Sequence, residues 1–262
     1  EKRMKFMQKL IIGVLFVMLL SLRACSQSPQ MQQSSEVIST TPNKETDNVS
    51  KEESSSEIKA ASLLYQGKAS IRIVTAEEKV IYIDPYAGDG YDLPADLILV
   101  THGHYDHCDL DKVQQRNPDC RIITHSEAIQ NGEHQTFDLG YVTVEAVEAG
   151  FNSFHDVNEC VGYVLTFSDG KSVYVTGDTS TTDQMSELSE KQIDYAFFCC
   201  DGTYNMGLEE AAKCAEMVGA KHNIPYHMTT TAMGTSFDRE LAEQFDAPNR
   251  MIIADGEEII IE

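Results

Sequence analysis

The sequence predicts an α+β domain in which two β-sheets pack face to face and helices cover them. Three observations support this class. Short apolar runs rich in β-branched residues recur from about residue 60 onward and end at turn formers. Segments with helical spacing lie between two sets of strands, and no internal repeat of about 20–50 residues is visible. We therefore expect one folded domain over residues 60–262.

The first set of strands lies before and after a glycine-containing loop. Ala69–Thr75 and Lys79–Pro85 are β-branched, apolar runs that end at turn formers. The buried strand "DLILV" (Asp96–Val100) leads into the loop. Asp109–Asn117 has helical spacing after an aspartate cap, which predicts a helix, and Arg121–His125 is a further strand.

The second set consists of three strands, an amphipathic helix and a short final strand. The strands are Val142–Ala149, Gly162–Ser168 and Ser172–Asp178, the helix is Met206–Ala220, which ends at Gly219, and the final strand is His222–His227. Met251–Glu262 is predicted to close the chain as a hairpin around Asp255-Gly256.

Residues 1–25 are typical of a bacterial export signal. Basic residues precede the apolar run Leu10–Leu22, which has thirteen residues, fewer than the roughly 20 of a membrane span. Residues 26–59 are rich in Ser, Gln, Thr and Glu and nearly free of large apolar side chains. Such a composition cannot bury enough surface to offset its ordering entropy, so we expect a flexible tether.

The end of the signal, "LRAC" (Leu22–Cys25), resembles a bacterial lipobox, in which the cysteine is lipidated and becomes the mature N-terminus. Arg23 departs from the small or apolar residue usual at its position, and an uncleaved N-terminal anchor is the alternative. Lipidation of Cys25 predicts attachment to the outer face of the cytoplasmic membrane, with an extracytoplasmic domain.

Composition limits the expected partners. The formal net charge is −22, and a domain this acidic is repelled by phosphate backbones, so nucleic acid is not an expected partner. The cysteines after Cys25 show no C-x-x-C spacing, which indicates neither a zinc knuckle nor a disulfide scaffold. The expected partners are a small-molecule substrate and the membrane; the sequence leaves the oligomeric state open.

The segment "THGHYDHCD" (Thr101–Asp109) places three of the eight histidines within six residues. In an extended segment residues i and i+2 point the same way, so His102 and His104 can hold one cation together. A following turn can direct Asp106 and His107 at a second cation. Imidazole and carboxylate are ligands that zinc favours and that manganese and iron accept.

This H-x-H-x-D-H pattern after a buried strand resembles the metallo-β-lactamase superfamily. The resemblance extends over nearly the whole domain, through "VIYIDPY" (Val80–Tyr86), "ADLILVTHGHYDHCD" (Ala95–Asp109), "GYVLTFSDGKSVYVTGDTS" (Gly162–Ser180), "DGTYNMGLEEAAKCAEMV" (Asp201–Val218) and "NIPYHM" (Asn223–Met228). These segments are similar to the stand-alone metal-dependent hydrolases that include ascorbate-phosphate lactonase-like proteins. The resemblance implies a four-layer αββα sandwich with a two-metal site at one edge, between the sheets.

The resemblance also implies the metal ligands. His102 and His104 match histidines of the first metal, and Asp106 and His107 match ligands of the second. Asp178, in "TGDTS", matches the aspartate that bridges both ions. His227, in "IPYHM", matches the last ligand of the second metal.

The third histidine of the first metal is absent from the family's usual place, where this chain reads "EAGFN" (Glu148–Asn152). His155 is the candidate in the same loop, and Asn152 is the alternative ligand.

These residues imply a hydrolase with two divalent ions, Zn²⁺ or alternatively Mn²⁺ or Fe²⁺, that activate water at neutral pH. Asp106 is also the expected catalytic residue, which guides the proton from water to the leaving group. The substrate would be a small extracytoplasmic ester, lactone, amide or phosphodiester. The alternative is a non-catalytic lipoprotein of the same fold that binds a metal or another ligand.

Overall fold

The computed structural model describes residues 59–230 and 237–262. The predicted signal, Cys25 and nearly all of the predicted tether lie outside the described residues, so the predictions made for them stay predictions. Among the described residues, no helix combines the length and the apolar character that crossing a membrane requires.

One six-stranded sheet, the first sheet, has the order β14-β1-β2-β3-β4-β5. Its strands are β1 (Ser62–Gly67), β2 (Ser70–Val74), β3 (Val80–Ile83), β4 (Ala95–Val100), β5 (Arg116–Thr124) and β14 (Glu257–Ile260). The pairs from β14 to β3 are antiparallel, whereas β3, β4 and β5 run parallel. The carboxyl ends of β3 and β4 therefore lie at the same edge of this sheet.

The second sheet repeats this plan with the order β13-β12-β11-β10-β9-β8. Its strands are β8 (Thr136–Asp138), β9 (Val142–Glu148), β10 (Val161–Phe167), β11 (Ser172–Val175), β12 (Tyr195–Cys199) and β13 (His222–Tyr226). The pairs from β8 to β11 are antiparallel and β11, β12 and β13 run parallel. In chain order, a two-stranded ribbon formed by β6 (Ile129–Gln130) and β7 (Glu133–His134) comes between β5 of the first sheet and β8 of the second.

Helices are few and short. They are α1 (His125–Ala128), α2 (Leu208–Val218) and α3 (Arg239–Ala242), with 3₁₀ segments at Leu110–Lys112 and Asp183–Lys191. The predicted end of α2 is correct: Gly219 adopts φ 66° as the C-cap, a left-handed conformation that glycine adopts without strain. The buried face of α2, which includes Ala211 and Ala215, packs towards β12 and the second 3₁₀ segment.

The main core lies between the two sheets, as the sequence predicts. The Tyr65 and Phe197 rings, one from each sheet, have centroids 6.4 Å apart. The Tyr163 hydroxyl of β10 donates to the Val100 carbonyl of β4 at 3.1 Å, which fixes the sheets together next to the end of β4. A smaller apolar cluster that includes Val80, Ile98 and Val113 covers the other face of the first sheet.

Two predicted elements are wrong. Asp109–Asn117 is not a helix: after the single turn Leu110–Lys112 the chain is already in strand β5 at Arg116. Pro118 fits the strand better than a helix, because a proline disfavours helical backbone at the residue before it and is tolerated in an edge strand.

The predicted C-terminal hairpin is also wrong, although its turn is correct. Gly256 has φ 80°, but Met251 donates its N–H to Asn223 beside the second sheet, at 2.8 Å. The strand after the turn, β14, pairs instead with β1 in the first sheet, with Ile260 opposite Ser62. The tail thus passes from one sheet to the other, because each of its halves finds a backbone partner in a different sheet.

Candidate metal centre

The predicted ligands meet at the edge where the carboxyl ends of the parallel strands of both sheets lie. The loop after β4 carries His102–His107, Asp178 follows β11 and His227 follows β13. His155 comes from the loop between β9 and β10. All seven predicted ligands therefore lie in loops at strand ends. They come together although the first and last, at positions 102 and 227, are 125 positions apart in the sequence.

The first position consists of His102, His104 and His155. One ring nitrogen of each lies within 4.8 Å of the others, and His102 Nε2 is 3.0 Å from His104 Nδ1. His102 and His155 are buried, while His104 is exposed. Three imidazoles with one exposed side are a donor set that suits a divalent transition metal with an open coordination place.

The second position consists of Asp106, His107 and His227, whose ligand atoms also lie within 4.8 Å of one another. Asp178 lies between the two positions. Its Oδ1 is 3.4 Å from His107 Nε2, and its Oδ2 is 3.4 Å from His155 Nε2 and 3.6 Å from His227 Nε2. The carboxylate thus faces histidines of both positions.

Gly177 sets the place of Asp178. It has φ 61°, and a Cβ built on it would lie 2.7 Å from the Val161 carbonyl oxygen, so any larger residue would push β11 away from β10. His227 itself has φ 47°, a strained conformation for a non-glycine residue that is often found at functional sites.

Buried polar atoms without hydrogen bonds test whether a cation fits. His107 Nε2, His227 Nε2 and Asp178 Oδ1 are buried and have no hydrogen-bond partner among the described residues. Leaving such atoms unpaired costs about 1–3 kcal/mol each. A divalent cation requires several imidazole and carboxylate lone pairs that point to the same place. These residues therefore fit a metal.

The central carboxylate remains ionised. Burial alone would raise the pKa of Asp178, but His227 and His107 outweigh it and hold the pKa well below the usual value. Burial likewise would lower the pKa of His107, but Asp178 and Asp84 raise it well above its usual value. A metal at the second position would therefore compete with a proton for His107.

The histidines of the first position behave differently. Burial lowers the pKa of His102, and the nearby His107 lowers it further. Burial also lowers the pKa of His155, against the opposing effect of Asp178. Both rings are therefore neutral at physiological pH, which is the form that binds a metal.

Three side chains orient the ligands. The sequence analysis missed two of them, Asp84 and Asp201, and named the third, Asn152, as an alternative ligand. Asp84 Oδ2 is 2.8 Å from His107 Nδ1, Asn152 Oδ1 is 3.2 Å from His155 Nδ1 and Asp201 Oδ2 is 3.5 Å from His227 Nδ1. Such contacts fix the ring and leave Nε2 directed at the metal. Asp84 and Asp201 both follow strands, which is the signal that could have found them.

Asn152 lies behind His155 rather than beside it. Its Oδ1 also accepts the backbone N–H groups of Phe154 and His155, at 2.9 and 3.0 Å. The structure therefore brings His155 into the first position, with Asn152 as its hydrogen-bond partner.

Lys68, also missed by the sequence analysis, brings a positive charge to the second position. It lies in the turn between β1 and β2, with φ 52°, and its Nζ is 2.9 Å from Asp106 Oδ2. The side chain is only 5% exposed. Burial would raise the pKa of Asp106, but His107 and Lys68 lower it, so this carboxylate is ionised.

The pattern of the β-lactamase superfamily domain matches residues 62–227, which span both sheets and all seven predicted ligands. The chain belongs to this superfamily. The metallo-β-lactamase resemblance stated from the histidine motif is thus confirmed, as is the α+β sandwich.

Individual relatives of this superfamily are metal-dependent hydrolases. A UPF0173 metal-dependent hydrolase of Geobacillus thermodenitrificans is 32% identical over 194 residues, which cover 63% of this chain and 84% of the relative. A protein of Parabacteroides distasonis assigned as a metal-dependent hydrolase has a crystal structure with TM-score 0.60 and 30% identity, covering 74% of this chain and 92% of the other.

A more distant likeness extends the same fold to an archaeon. Igni18, a metallo hydrolase of Ignicoccus hospitalis, has TM-score 0.61 at 19% identity and covers 78% of this chain and 99% of its own. From the superfamily match and the Geobacillus and Parabacteroides relatives, the chain is a metal-dependent hydrolase, the enzyme class that the sequence predicted.

Proposed function

We propose that the protein is a two-metal hydrolase of a small ester, lactone, amide or phosphodiester. The observation that carries this proposal is the place of Asp178, whose two oxygens face His155 of the first position and His107 and His227 of the second. A carboxylate in this place can hold two cations at once. Zn²⁺ suits the mixed imidazole and carboxylate donors, and Mn²⁺ or Fe²⁺ are the alternatives.

The chain's own residues supply binding and proton transfer. When bound, two divalent ions would supply an acidified water as nucleophile and an electrophile for the substrate's oxygen. Asp106, which is ionised, is the proposed group that accepts a proton from water and passes it to the leaving group. Lys68 holds the other side of this carboxylate and fixes its orientation.

Metal analysis and a hydrolysis screen test the proposal together. Protein reconstituted with Zn²⁺, Mn²⁺ or Fe²⁺ is expected to bind about two equivalents. It should hydrolyse members of a lactone, acyl-amide, ester and phosphodiester panel, and a chelator should abolish the activity. Protein that binds two ions but hydrolyses no member of the panels would contradict the proposed activity.

One observation favours a second candidate, a hydrolase that works with a single metal ion at the first position. The Lys68 ammonium group already contacts Asp106, one of the three ligands of the second position. One equivalent of metal at the first position, together with hydrolysis that a chelator abolishes, would be the result expected for this candidate.

We also propose that lipidated Cys25 attaches the protein to the outer face of the cytoplasmic membrane, so that the substrate is extracytoplasmic. The sequence pattern before Cys25 supports this proposal. Cys25→Ser is expected to release the protein from the membrane fraction of cells; continued tight association would favour an uncleaved anchor. The net charge of −22 supports a small-molecule partner over nucleic acid.

A further inference from the structure

Large apolar side chains are exposed around the metal centre. Six such side chains are exposed among the described residues, and five of them lie in the three loops that carry or orient the metal ligands. These five form what we term the apolar rim: Tyr105, Phe151, Phe154, Val157 and Tyr204, each between 38% and 63% exposed. Single exposed apolar residues are common, but a concentration around one site indicates a binding surface.

The rim is fixed to the same side chains that orient the metal ligands. Asn152, which contacts His155, accepts the backbone N–H of Phe154 at 2.9 Å. Asp201, which lies 3.5 Å from His227, accepts the backbone N–H of Tyr204 at 2.7 Å.

The two rings then meet edge to face across the loops. The centroids of Phe154 and Tyr204 are 5.0 Å apart, in a T-shaped arrangement that aromatic pairs prefer. On the first-sheet side, Tyr105 lies between the ligands His104 and Asp106 and makes a T-shaped contact with Tyr86 at 5.8 Å. The rim is thus a built surface beside the centre.

The charges around the rim exclude one class of substrate. The segments 101–109, 150–160 and 200–207 contain aspartate and glutamate but neither lysine nor arginine. Lys68, the basic side chain at the second position, contacts Asp106. Recognition of a phosphate or carboxylate group normally uses arginine or lysine, whereas these segments add negative charge through residues such as Asp109 and Asp156.

From this geometry we infer that the site takes an uncharged substrate whose apolar acyl or aryl group packs on the rim. The inference deepens the proposed function and rests on it: among the four substrate classes it selects esters, lactones and amides over phosphodiesters. In the reaction, the water oxygen bonds to the carbonyl carbon, the bond to the leaving oxygen or nitrogen breaks, and the water proton goes to that leaving atom.

A binding experiment tests the inference without catalysis. Chelator-treated full-length protein is titrated with hexanamide, butanamide and hexanoate, and binding is followed by saturation-transfer NMR. Hexanamide should bind about fifteenfold more tightly than butanamide, which has two fewer methylene groups, and at least about tenfold more tightly than hexanoate. Equal or tighter binding of hexanoate would overturn the inference.

Variants locate the binding. Phe154→Ser and Tyr204→Ser should each weaken hexanamide binding by about fivefold to tenfold, because each removes an apolar face of the rim. Ile260→Ser is the matched control, since Ile260 is 51% exposed but lies in β14, outside the metal-ligand loops. Equal loss in all three variants would contradict the rim as the binding surface.

Hydrolysis assays with the metal-loaded enzyme provide a second test. p-Nitrophenyl hexanoate should be hydrolysed with a higher kcat/KM than p-nitrophenyl acetate, an ester of similar intrinsic reactivity with a shorter apolar chain; the reverse order would overturn the inference while supporting a hydrolase. Hexanamide binding without any hydrolysis would support the substrate class and contradict the proposed activity. A dimer seen by light scattering that Phe154→Ser dissociates would overturn the inference, because the rim would then bind a second copy.

Discussion

The two sheets follow the same plan but supply the metal centre differently. In each, antiparallel strands are followed by three parallel strands whose carboxyl ends reach the site. The first sheet supplies four predicted ligands from a single loop, His102–His107. The second supplies Asp178, His227 and His155 from three separate loops. The first contribution is encoded locally, whereas the second exists only when the second sheet is folded.

The opposite ends of the parallel strands show how alike the sheets are. Asp96 accepts the Val80 N–H at the start of β3, at 2.9 Å, and contacts Lys79. Asp194 accepts the Ser172 N–H at the start of β11, at 2.8 Å, and contacts a lysine in the same way. The sheets thus share a structural device at one end and differ in chemistry at the other, which indicates that the loops, and not the strands, carry the function.

Loss of the carboxylate that faces both positions should have the largest effect. Asp178→Ala is expected to abolish metal at the second position and to weaken metal binding at the first by at least about 100-fold, because both lose a buried anionic ligand. Elemental analysis after dialysis measures the stoichiometry. Asp246→Ala, which removes an exposed carboxylate, is the control; unchanged metal content in Asp178→Ala would refute its place between the positions.

The next largest effect distinguishes the ligand His155 from Asn152, the residue that orients it. His155→Ala should remove one equivalent of metal, while Asn152→Ala should weaken that equivalent by only about tenfold to 100-fold, as expected for a group that orients a ligand. Titration calorimetry with Zn²⁺ gives both affinities. If Asn152→Ala has the larger effect, Asn152 is the ligand and His155 is not.

A substitution of Lys68, in the turn between β1 and β2, should have a smaller effect on metal affinity, and one of opposite sign. Lys68→Met should raise the affinity for the second ion by about tenfold, because it removes a positive charge next to Asp106. Lys79→Met is the matched control, since Lys79 pairs with Asp96 in the same sheet and at its opposite end. A lower affinity in Lys68→Met would mean that orienting Asp106 outweighs charge repulsion.

The smallest expected effects are on stability, and they test the aspartates that accept a backbone N–H at the start of β3 and of β11. Asp96→Asn and Asp194→Asn should each reduce the free energy of unfolding by about 1 kcal/mol at pH 7, the usual net value of a hydrogen bond. Burial would raise both pKa values, but the backbone N–H groups and Lys79 or Lys221 lower them.

The sign of the pH dependence follows from these lowered pKa values. The stabilisation is present above the unfolded pKa of about 3.9 and is lost as pH falls through the lower folded value. Urea denaturation of the wild type and both variants from pH 7 to pH 3 measures this loss. Unequal changes in the two variants would show that the sheets do not share the device.

The strongest errors of sequence-based prediction came where tertiary pairing decides. Tyr195–Cys199, the fully buried strand β12, was not predicted, because a short run buried on both faces shows no alternation. Met251–Glu262 was predicted as a hairpin because its turn residues are correct. Its first half instead hydrogen-bonds to β13, and its second half pairs with β1. In contrast, the two strands before the histidine loop, β3 and β4, were predicted with bounds close to those observed.

The sequence by itself determined the two sets of strands and the ligands clustered in His102–His107, because these depend on local spacing and on apolar periodicity. The resemblance of its segments to a known family identified the superfamily. Only the tertiary structure decided which side chains stand behind and beside those ligands. Asp84, Asp201 and Lys68 lie on separate strand ends and turns. They meet the site because two sheets stack with their carboxyl ends at one edge, a relation between distant segments that no local pattern encodes.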